Sequence, residues 1–160
     1  RCTWKRRPGS RVESRISGVL QMIFESLDLM AGYLRENRNF GDCLLVDVRW
    51  RHFGTVIELI FDYSWTPDGS VRAEYAPSDL RALVLRNVQE LHVCNSLSEH
   101  MSLHPEELNW GLSEVASVRV LDEDRFLAKY QSLPVPFHHL RCSWEGDRTL
   151  DVVFSTLEIV

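Results

Sequence analysis

The sequence predicts an α+β fold in which an N-terminal amphipathic helix packs on a mostly antiparallel, curved β-sheet, with a β-sandwich as the alternative. One segment places apolar residues at helical spacing, and about seven later segments alternate apolar and polar residues with the period of two that strands show. Strands and helices do not alternate along the chain, which argues against a parallel, doubly wound sheet. A length of 160 residues and a hydrophobic content of 44% are typical of one globular domain.

The helix is predicted from Met22 to about Arg38. Four apolar residues recur there at spacings of four, three and four, which places them on one helical face: Ile23, Leu27, Met30 and Leu34. Gly32 weakens the helix by about 1 kcal/mol relative to alanine. The apolar face must therefore dock on another apolar surface.

Alternation with period two begins after Asp42 and predicts the clearest strands of the chain. Residues 43–50 and 56–65 form two strands joined by the turn RHFG, and the turn TPDGS follows, with a glycine that accepts a positive φ. The remaining segments are, in chain order, a short return strand at 71–75, one long or two short strands at 80–93 with a break near Asn87, a loop with a helical turn at 95–108, a strand at 110–121, and a short helix or irregular strand at 122–131.

The segment FHHLRCSWEGDRTLDVVFSTLEI, residues 137–159, is predicted to be a closing hairpin. Its alternation places His138 and Trp144 on one face and His139 and Glu145 on the other, and Glu-Gly-Asp-Arg supplies the turn. Adjacent histidines on opposite faces cannot both bind one metal ion without a bulge. A site built from His139 and Glu145 in a cleft is the alternative. On the return strand, Leu150, Val152 and Phe154 are predicted to line one face, and Leu157 and Ile159 mostly the other.

The balance of charge changes sign along the chain and divides it into residues 1–21 and a single domain at 22–160. Residues 1–21 hold six basic residues and one acidic residue, whereas residues 22–160 hold 12 basic and 22 acidic residues. The first segment is predicted to be a basic arm or a non-native extension ahead of a start at Met22, with an ordinary N-terminal strand or coil as the remaining alternative. The acidic body lacks the basic surface that nucleic-acid binding requires and is compatible with a basic protein partner.

Four cysteines are spread along the chain without the spacing of a metal site or the density of a disulfide scaffold. Cys43, Cys94 and Cys142 each lie in an apolar run, which predicts buried or half-buried thiols in a reducing compartment. No run approaches the ~18 apolar residues of a membrane span, and no secretory signal is apparent. These features predict a cytoplasmic protein that does not enter the membrane.

No motif of a catalytic or cofactor site is found in the sequence. The histidines that could line a pocket or bind a metal are His92 beside Cys94, the i, i+4 pair His100 and His104, and His139. The residue after His100 is Met101, so the general base of an HExxH metalloprotease site is missing. We therefore predict no catalytic residue, no metal and no cofactor.

Three stretches resemble immunity-type proteins that accompany bacterial polymorphic toxins: LRALVL at 80–85, NWGLSEV at 109–115 and DVVFSTLEI at 151–159. The resemblance covers roughly residues 43–160 and implies a non-enzymatic cytoplasmic protein that occludes a basic toxin or effector. No family motif maps onto single residues, so the partner-binding residues are chosen by residue type and position: Trp110, Glu114, Glu58, Asp62 and Glu145. Acidic side chains would speed association with a basic partner, and an aromatic anchor would fill a pocket.

The alternative function is a small-molecule-binding or enzymatic domain with a pocket between the helix and the curved sheet. Its first general-base candidates are His52, His92 and His139. A closed pocket that contains a histidine and a carboxylate would support this function, whereas a filled core would oppose it.

Overall fold

The computed structural model describes residues 12–16, 19–73, 76–96, 99, 103–104, 114–121, 125–144 and 147–160, with the backbone alone for 12–16 and 19–21. In chain order the elements are β1 (Val12–Ile16), β2 (Val19–Phe24), α1 (Leu27–Glu36), β3 (Cys43–Arg51), β4 (Val56–Asp62), β5 (Leu80–Arg86), β6 (Glu90–Cys94), β7 (Glu114–Val115), β8 (Ser117–Leu121), β9 (His138–Ser143), β10 (Thr149–Phe154) and β11 (Thr156–Ile159).

The strands form two antiparallel sheets. Within the described residues, the larger sheet has seven strands in the order β1-β2-β11-β5-β4-β3-β7, and the smaller has four in the order β6-β10-β9-β8. Buried side chains from both sheets and from α1 belong to one hydrophobic core, which includes Met30, Phe61 and Phe154. The predicted α+β class with an antiparallel sheet is confirmed, and the sheet is divided into two parts that enclose this core.

One two-stranded ribbon runs through both sheets and bends where it passes between them. Its first strand continues from β5 into β6 through Asn87, which has φ of 54°, and its second continues from β10 into β11 through Ser155. Backbone hydrogen bonds from Ser155 to Arg86 and from Gln89 to Val153 hold the two bends together. The predicted break near Asn87 is confirmed.

The bend at Ser155 corrects the prediction of a single return strand. Val152 and Phe154 on β10 are fully buried, and so is Leu157 on β11, although an unbroken alternation would put Leu157 on the opposite face. The bend at Ser155 changes the phase of the alternation because β11 belongs to the other sheet. The chain therefore buries apolar residues on both sides of the bend.

The predicted start of the helix at Met22 is wrong, because residues 19–24 form strand β2. Met22 and Phe24 alternate into the core, and β2 pairs with β11, where Ile159 lies opposite Met22. Helix α1 begins after Ser26, whose carbonyl accepts the backbone N–H of Met30. Strand β2 also spans the position at which the charge of the sequence changes sign.

The segment between α1 and β3 makes a left-handed turn. Arg38, Asn39 and Phe40 have φ values of 52°, 51° and 54°, and each L-residue in this region costs about 1–2 kcal/mol. The Phe40 side chain offsets part of this cost because it is fully buried, with its ring centroid 4.9 Å from that of Phe61 and 5.5 Å from that of Tyr63.

We expect Gly69→Ala to lower the free energy of unfolding by about 1–2 kcal/mol, the cost of a left-handed L-residue. Gly69 has φ of +84°, and an added Cβ would lie 2.6 Å from Nη2 of Arg38. That nitrogen donates a hydrogen bond to the Gly69 carbonyl, and the guanidinium lies 4.0 Å from the Trp65 ring centroid. Urea denaturation measures the change.

Gly32→Ala is the matched control for this substitution. Gly32 lies within α1, and an added Cβ would meet nothing within 4 Å. Alanine is favoured over glycine inside a helix by about 0.5–1 kcal/mol, so this variant is expected to be more stable than the wild type. Equal effects of the two substitutions would contradict the conformational argument.

Candidate functional site

An open apolar cleft of about 390 Å³ lies between the edges of the two sheets. Its volume falls within the range of about 300–1,000 Å³ that is typical of ligand pockets. The described residues that line it come from β3, from β6 with the one residue after it, and from the β9–β10 hairpin: Leu45, Val48, Trp50, Leu91, Val93, Cys94, Asn95, Trp144, Arg148, Thr149 and Leu150.

The cleft forms because the core-facing side of each sheet extends beyond the side chains that pack in the hydrophobic core. Val48 and Trp50 lie opposite the fully buried Leu59 and Ile57 of β4, so they are on the inner face of the large sheet. Among the described residues, β7 pairs with β3 only at Cys43 and Leu44, and β6 pairs only with β10. The two sheet edges thus leave apolar side chains uncovered between them.

Two large aromatic residues are exposed where β3 ends: Trp50 lines the cleft, and Phe53 lies in the turn between β3 and β4. We call Trp50 and Phe53 the aromatic pair; their exposed fractions are 58% and 111%. His52 and Phe53 have φ of 50° and 57°, and the carbonyl of His52 accepts hydrogen bonds from both the backbone N–H and the hydroxyl of Thr55. The Phe53 side chain is therefore fully exposed on a turn whose backbone is strained, and it does not pack in the core.

The cleft wall at the β9–β10 hairpin is formed by Trp144 and Arg148. The backbone N–H of Trp144 donates to the carbonyl of Arg148, and the Arg148 side chain is buried. The indole N–H of Trp144 is also buried and has no hydrogen-bond partner among the described residues. Because that N–H is shielded, Trp144 presents an apolar ring to the cleft.

The other face of the small sheet carries a polar network centred on Asp151. Its Oδ1 accepts hydrogen bonds from Nε2 of the fully buried His139 and from Nε of Arg141, each at 2.7 Å, and its Oδ2 accepts one from Thr149 at 3.0 Å. Burial raises the pKa of Asp151, but the bonds from Arg141 and His139 outweigh it, and the pKa lies below its ordinary value. The network is a charged structural cluster in which the described residues include no accessible nucleophile.

A second carboxylate, Glu90, anchors the segment that covers this face. It accepts hydrogen bonds from His92 and Tyr130 and pairs with Lys129. Burial raises the pKa of Glu90, but these three partners outweigh burial and lower it to about 2. The ring of Phe126 lies between His92 and His139, with centroids 4.8 Å from each.

Acid is expected to weaken this anchor. Since the folded pKa of Glu90 is about 2 and its ordinary value is 4.5, its stabilisation is complete above about pH 4.5 and is lost as the pH falls toward 2. We expect Glu90→Gln to be less stable than the wild type at pH 6 but to lose less stability between pH 6 and pH 3. Urea denaturation at both pH values measures this, and identical losses in the two proteins would contradict it.

The structure places the predicted site residues in different surroundings. The carboxylate of Glu58 pairs with Arg51 at 2.6 Å, and that of Asp62 pairs with Arg72 and accepts the backbone N–H of Asp79. Both acids are therefore engaged within the chain. Glu114 is exposed on β7, and His104 is half-buried. Trp110, Glu145 and His100 lie outside the described residues.

The two adjacent histidines of the predicted closing hairpin lie in different surroundings. His138 and His139 do lie on opposite faces: His138 contacts the carbonyl of Glu25 and the ring of Phe154, whereas His139 contacts Asp151. Burial lowers the pKa of His138. In the part of the chain that is described, no group of three or more histidine, cysteine or acidic side chains could hold a metal ion.

Two further expectations are corrected. Cys94 is exposed and lines the cleft, whereas Cys43 and Cys142 are buried as predicted. Alternation over residues 43–50 predicts Leu44, Val46, Val48 and Trp50 on one face, but a bulge between Leu45 and Asp47 shifts the register, and Leu44 lies opposite Asp62 on the outer face.

Sequence reasoning did not select the aromatic pair. Trp50 was assigned to a regular strand face and Phe53 to the turn RHFG. The position of Phe53 in a turn that ends with glycine could have indicated exposure, because turns lie at the surface. Exposure of Trp50 depends on the end of the facing sheet, which no local pattern shows.

None of the helices in the described part of the chain is long and apolar enough to cross a membrane. Comparisons with protein families, with curated proteins and with solved structures found no match to this chain.

Proposed function

We propose that the protein is a non-enzymatic binding domain whose contact surface is the aromatic pair together with the mouth of the apolar cleft. The observation that carries this proposal is the full exposure of Phe53 on a strained turn, next to a Trp50 that is more than half exposed. Large aromatic side chains are the residues that most often dominate the energy of protein interfaces. Because Trp50 also lines the open cleft, this surface offers a partner both exposed aromatic contacts and a recess.

More specifically, we propose a cytoplasmic immunity-type inhibitor of a basic effector. The excess of acidic residues in the chain supports this form of the binding function. Residues 22–160 carry ten more acidic than basic residues, and such an excess speeds the approach of a basic protein. Glu58 and Asp62 already have arginine partners, so they would act through the general field of the molecule. Glu114 is exposed and keeps the direct role that the sequence suggested.

The test uses co-expression with the products of adjacent genes, followed by titration of the purified complex. We expect Trp50→Ala combined with Phe53→Ala to weaken binding by about 30-fold or more, since even a single hot-spot residue contributes about 2 kcal/mol or more. The control variant combines Val71→Ala with Leu80→Ala, two apolar residues that are also well exposed. It should bind as the wild type does.

Two results would overturn the proposal. One is a complex whose affinity is unchanged by loss of the aromatic pair, and the other is the absence of any partner among the neighbouring products. Stability must be measured in parallel; because Phe53 is fully exposed, Phe53→Ala alone should leave the free energy of unfolding within about 0.5 kcal/mol of the wild type.

The cleft volume favours a second candidate function, the binding of a small apolar molecule. The described cleft residues include no histidine and no carboxylate, so this candidate is a carrier and not an acid–base enzyme. Native mass spectrometry of protein purified from its host tests it. A bound molecule that is lost in Val48→Trp, which fills the cleft, would support a carrier function.

A further inference from the structure

A second recess, of about 270 Å³, lies between helix α1 and strand β8. Ala31, Leu34 and Arg35 form its helical wall, and residues at this spacing share one face of a helix. Asn39, in the left-handed turn that follows α1, lines the recess beside them. We call it the arginine recess, because an arginine lies on each of its two walls.

The opposite wall belongs to the small sheet and consists of Arg119, Val120 and Leu121 of β8. Arg119 lies directly opposite Arg141 of β9, and like charges in this arrangement are unfavourable. Asp151 balances the charge of Arg141, with their side-chain atoms 2.7 Å apart. In the part of the chain that the structure describes, no carboxylate balances the charge of Arg119.

Arg35 and Arg119 differ in this respect from most arginines of the domain. Both are exposed, and within the described residues neither side chain makes a hydrogen bond, an ion pair or a ring contact. Other described arginines do pair with a carboxylate: Arg49, Arg51, Arg72, Arg81, Arg86 and Arg141. The end of α1 favours a cation at Arg35 through the helix dipole, but this does not account for Arg119 on the facing strand.

The polar groups that line the recess are hydrogen-bond donors in search of an acceptor. A guanidinium has donors only, and it binds carboxylate and phosphate oxygens through short, charge-assisted hydrogen bonds. The half-buried side-chain amide of Asn39 also makes no hydrogen bond among the described residues. The described lining residues include no acidic side chain, so an anion in the recess would meet donors from both walls.

The rest of the recess is apolar. Its floor consists of the buried Leu34 and of three half-buried side chains: Ala31, Val120 and Leu121. Ligand sites typically combine such an apolar lining with a few polar groups that orient the ligand. The volume lies just below the usual range of about 300–1,000 Å³, which suits a small molecule.

We propose that the arginine recess binds a small amphiphilic anion. Its carboxylate or phosphate group accepts hydrogen bonds from Arg35, Arg119 and Asn39, and a short apolar chain packs on the floor of the recess. No described residue lines both this recess and the apolar cleft, so the inference goes beyond the proposed binding function and does not rest on it.

The probes are hexanoate and hexyl phosphate, which carry the two head groups on the same chain. Hexanol, without the charge, and acetate, without the chain, are the controls. The readout is nuclear magnetic resonance of ¹⁵N-labelled protein at pH 6, followed through the Nε–H signals of Arg35 and Arg119 and the side-chain amide of Asn39. We expect at least one of the two hexyl anions to shift these signals at concentrations about tenfold or more below those of hexanol or acetate. The tighter of the two identifies the head group.

Matched arginine variants locate the site. Arg35→Gln and Arg119→Gln should each weaken the better anion by about tenfold or more, because each removes a charge-assisted donor. The control is Arg125→Gln, at an exposed arginine that does not line the recess and whose described contact is with the ring of Phe126. It removes the same charge and should change affinity less than about threefold. All three arginines are exposed, so the variants are expected to fold as the wild type does.

Two results would overturn the proposal. One is the absence of any shift with either hexyl anion at millimolar concentrations, which is the result expected if the acidic residues Asp122, Glu123 and Asp124, outside the described residues, neutralise the recess. The other is equal weakening by all three arginine variants, since binding would then depend on the general charge of the molecule. Trp50→Ala combined with Phe53→Ala should leave anion binding unchanged, so this proposal and the proposed function can fail separately.

Discussion

Replacing Asp151 with alanine is expected to lower the free energy of unfolding by about 3–5 kcal/mol, the loss that follows when one member of a buried charged network is removed. The substitution leaves Nε2 of His139 without its acceptor in a fully buried position, and Arg141 loses its carboxylate at 2.7 Å. Domains are typically stable by about 5–15 kcal/mol, so this loss is a large part of the total. Urea denaturation at pH 7 measures it.

Asp47→Ala is the matched control for Asp151→Ala. Asp47 also lies 2.7 Å from an arginine nitrogen, that of Arg49, but the two side chains are 44% and 53% exposed. Exposed ion pairs contribute about 0–1 kcal/mol. If the two aspartate variants lose stability equally, the network around Asp151 does not have the importance that its burial indicates.

Phe40→Ala is expected to cost about 3–5 kcal/mol, the usual range for a buried phenylalanine. Phe40 is fully buried against Phe61 and Tyr63, and its ring is the main apolar contact of the left-handed turn after α1. Loss of the ring removes the burial that offsets the strain of that turn. Urea denaturation at pH 7 measures this cost, and a loss below about 1 kcal/mol would contradict this account.

Phe40→Gly separates the backbone contribution from that of the ring. Glycine within regular structure is usually worse than alanine by about 0.5–1 kcal/mol, but Phe40 has φ of 54°, which glycine adopts without strain. We therefore expect Phe40→Gly to be at least as stable as Phe40→Ala. The reverse order would show that the left-handed conformation relaxes once the ring is removed.

Local alternation predicted the hairpin of β3 and β4 and that of β9 and β10, because each strand lies next to its partner in sequence. It failed at Met22 and Phe24, where apolar spacing suits either a helix or a strand. The deciding interaction is the pairing of β2 with β11, more than 130 residues later in the chain. Tertiary pairing of this kind overrides local preference.

The candidate site was less predictable than the fold. The partner-binding residues predicted from the sequence include Glu58 and Asp62. In the structure both carboxylates pair with arginines of the same chain, and the alternation of residues does not predict these pairs. The cleft arises because the two sheets end at different places. The local sequence around Trp50 and Val93 does not predict where the facing sheet ends. The turn RHFG was predicted, but no residue type or spacing in it selected Phe53 as a contact residue.

The position of β11 has a consequence for synthesis of the chain. Strand β11 lies between β2 and β5, so the large sheet is incomplete until residues 156–159 have been made. Roughly 135 residues separate Phe24 from Ile159, which at about 5–20 residues per second is a delay of about 7–27 s on the ribosome. Strand β2 lacks the neighbour that joins it to β5 throughout that interval, and β5 lacks it from its own synthesis onward, so their apolar faces are available to chaperones or to other nascent chains.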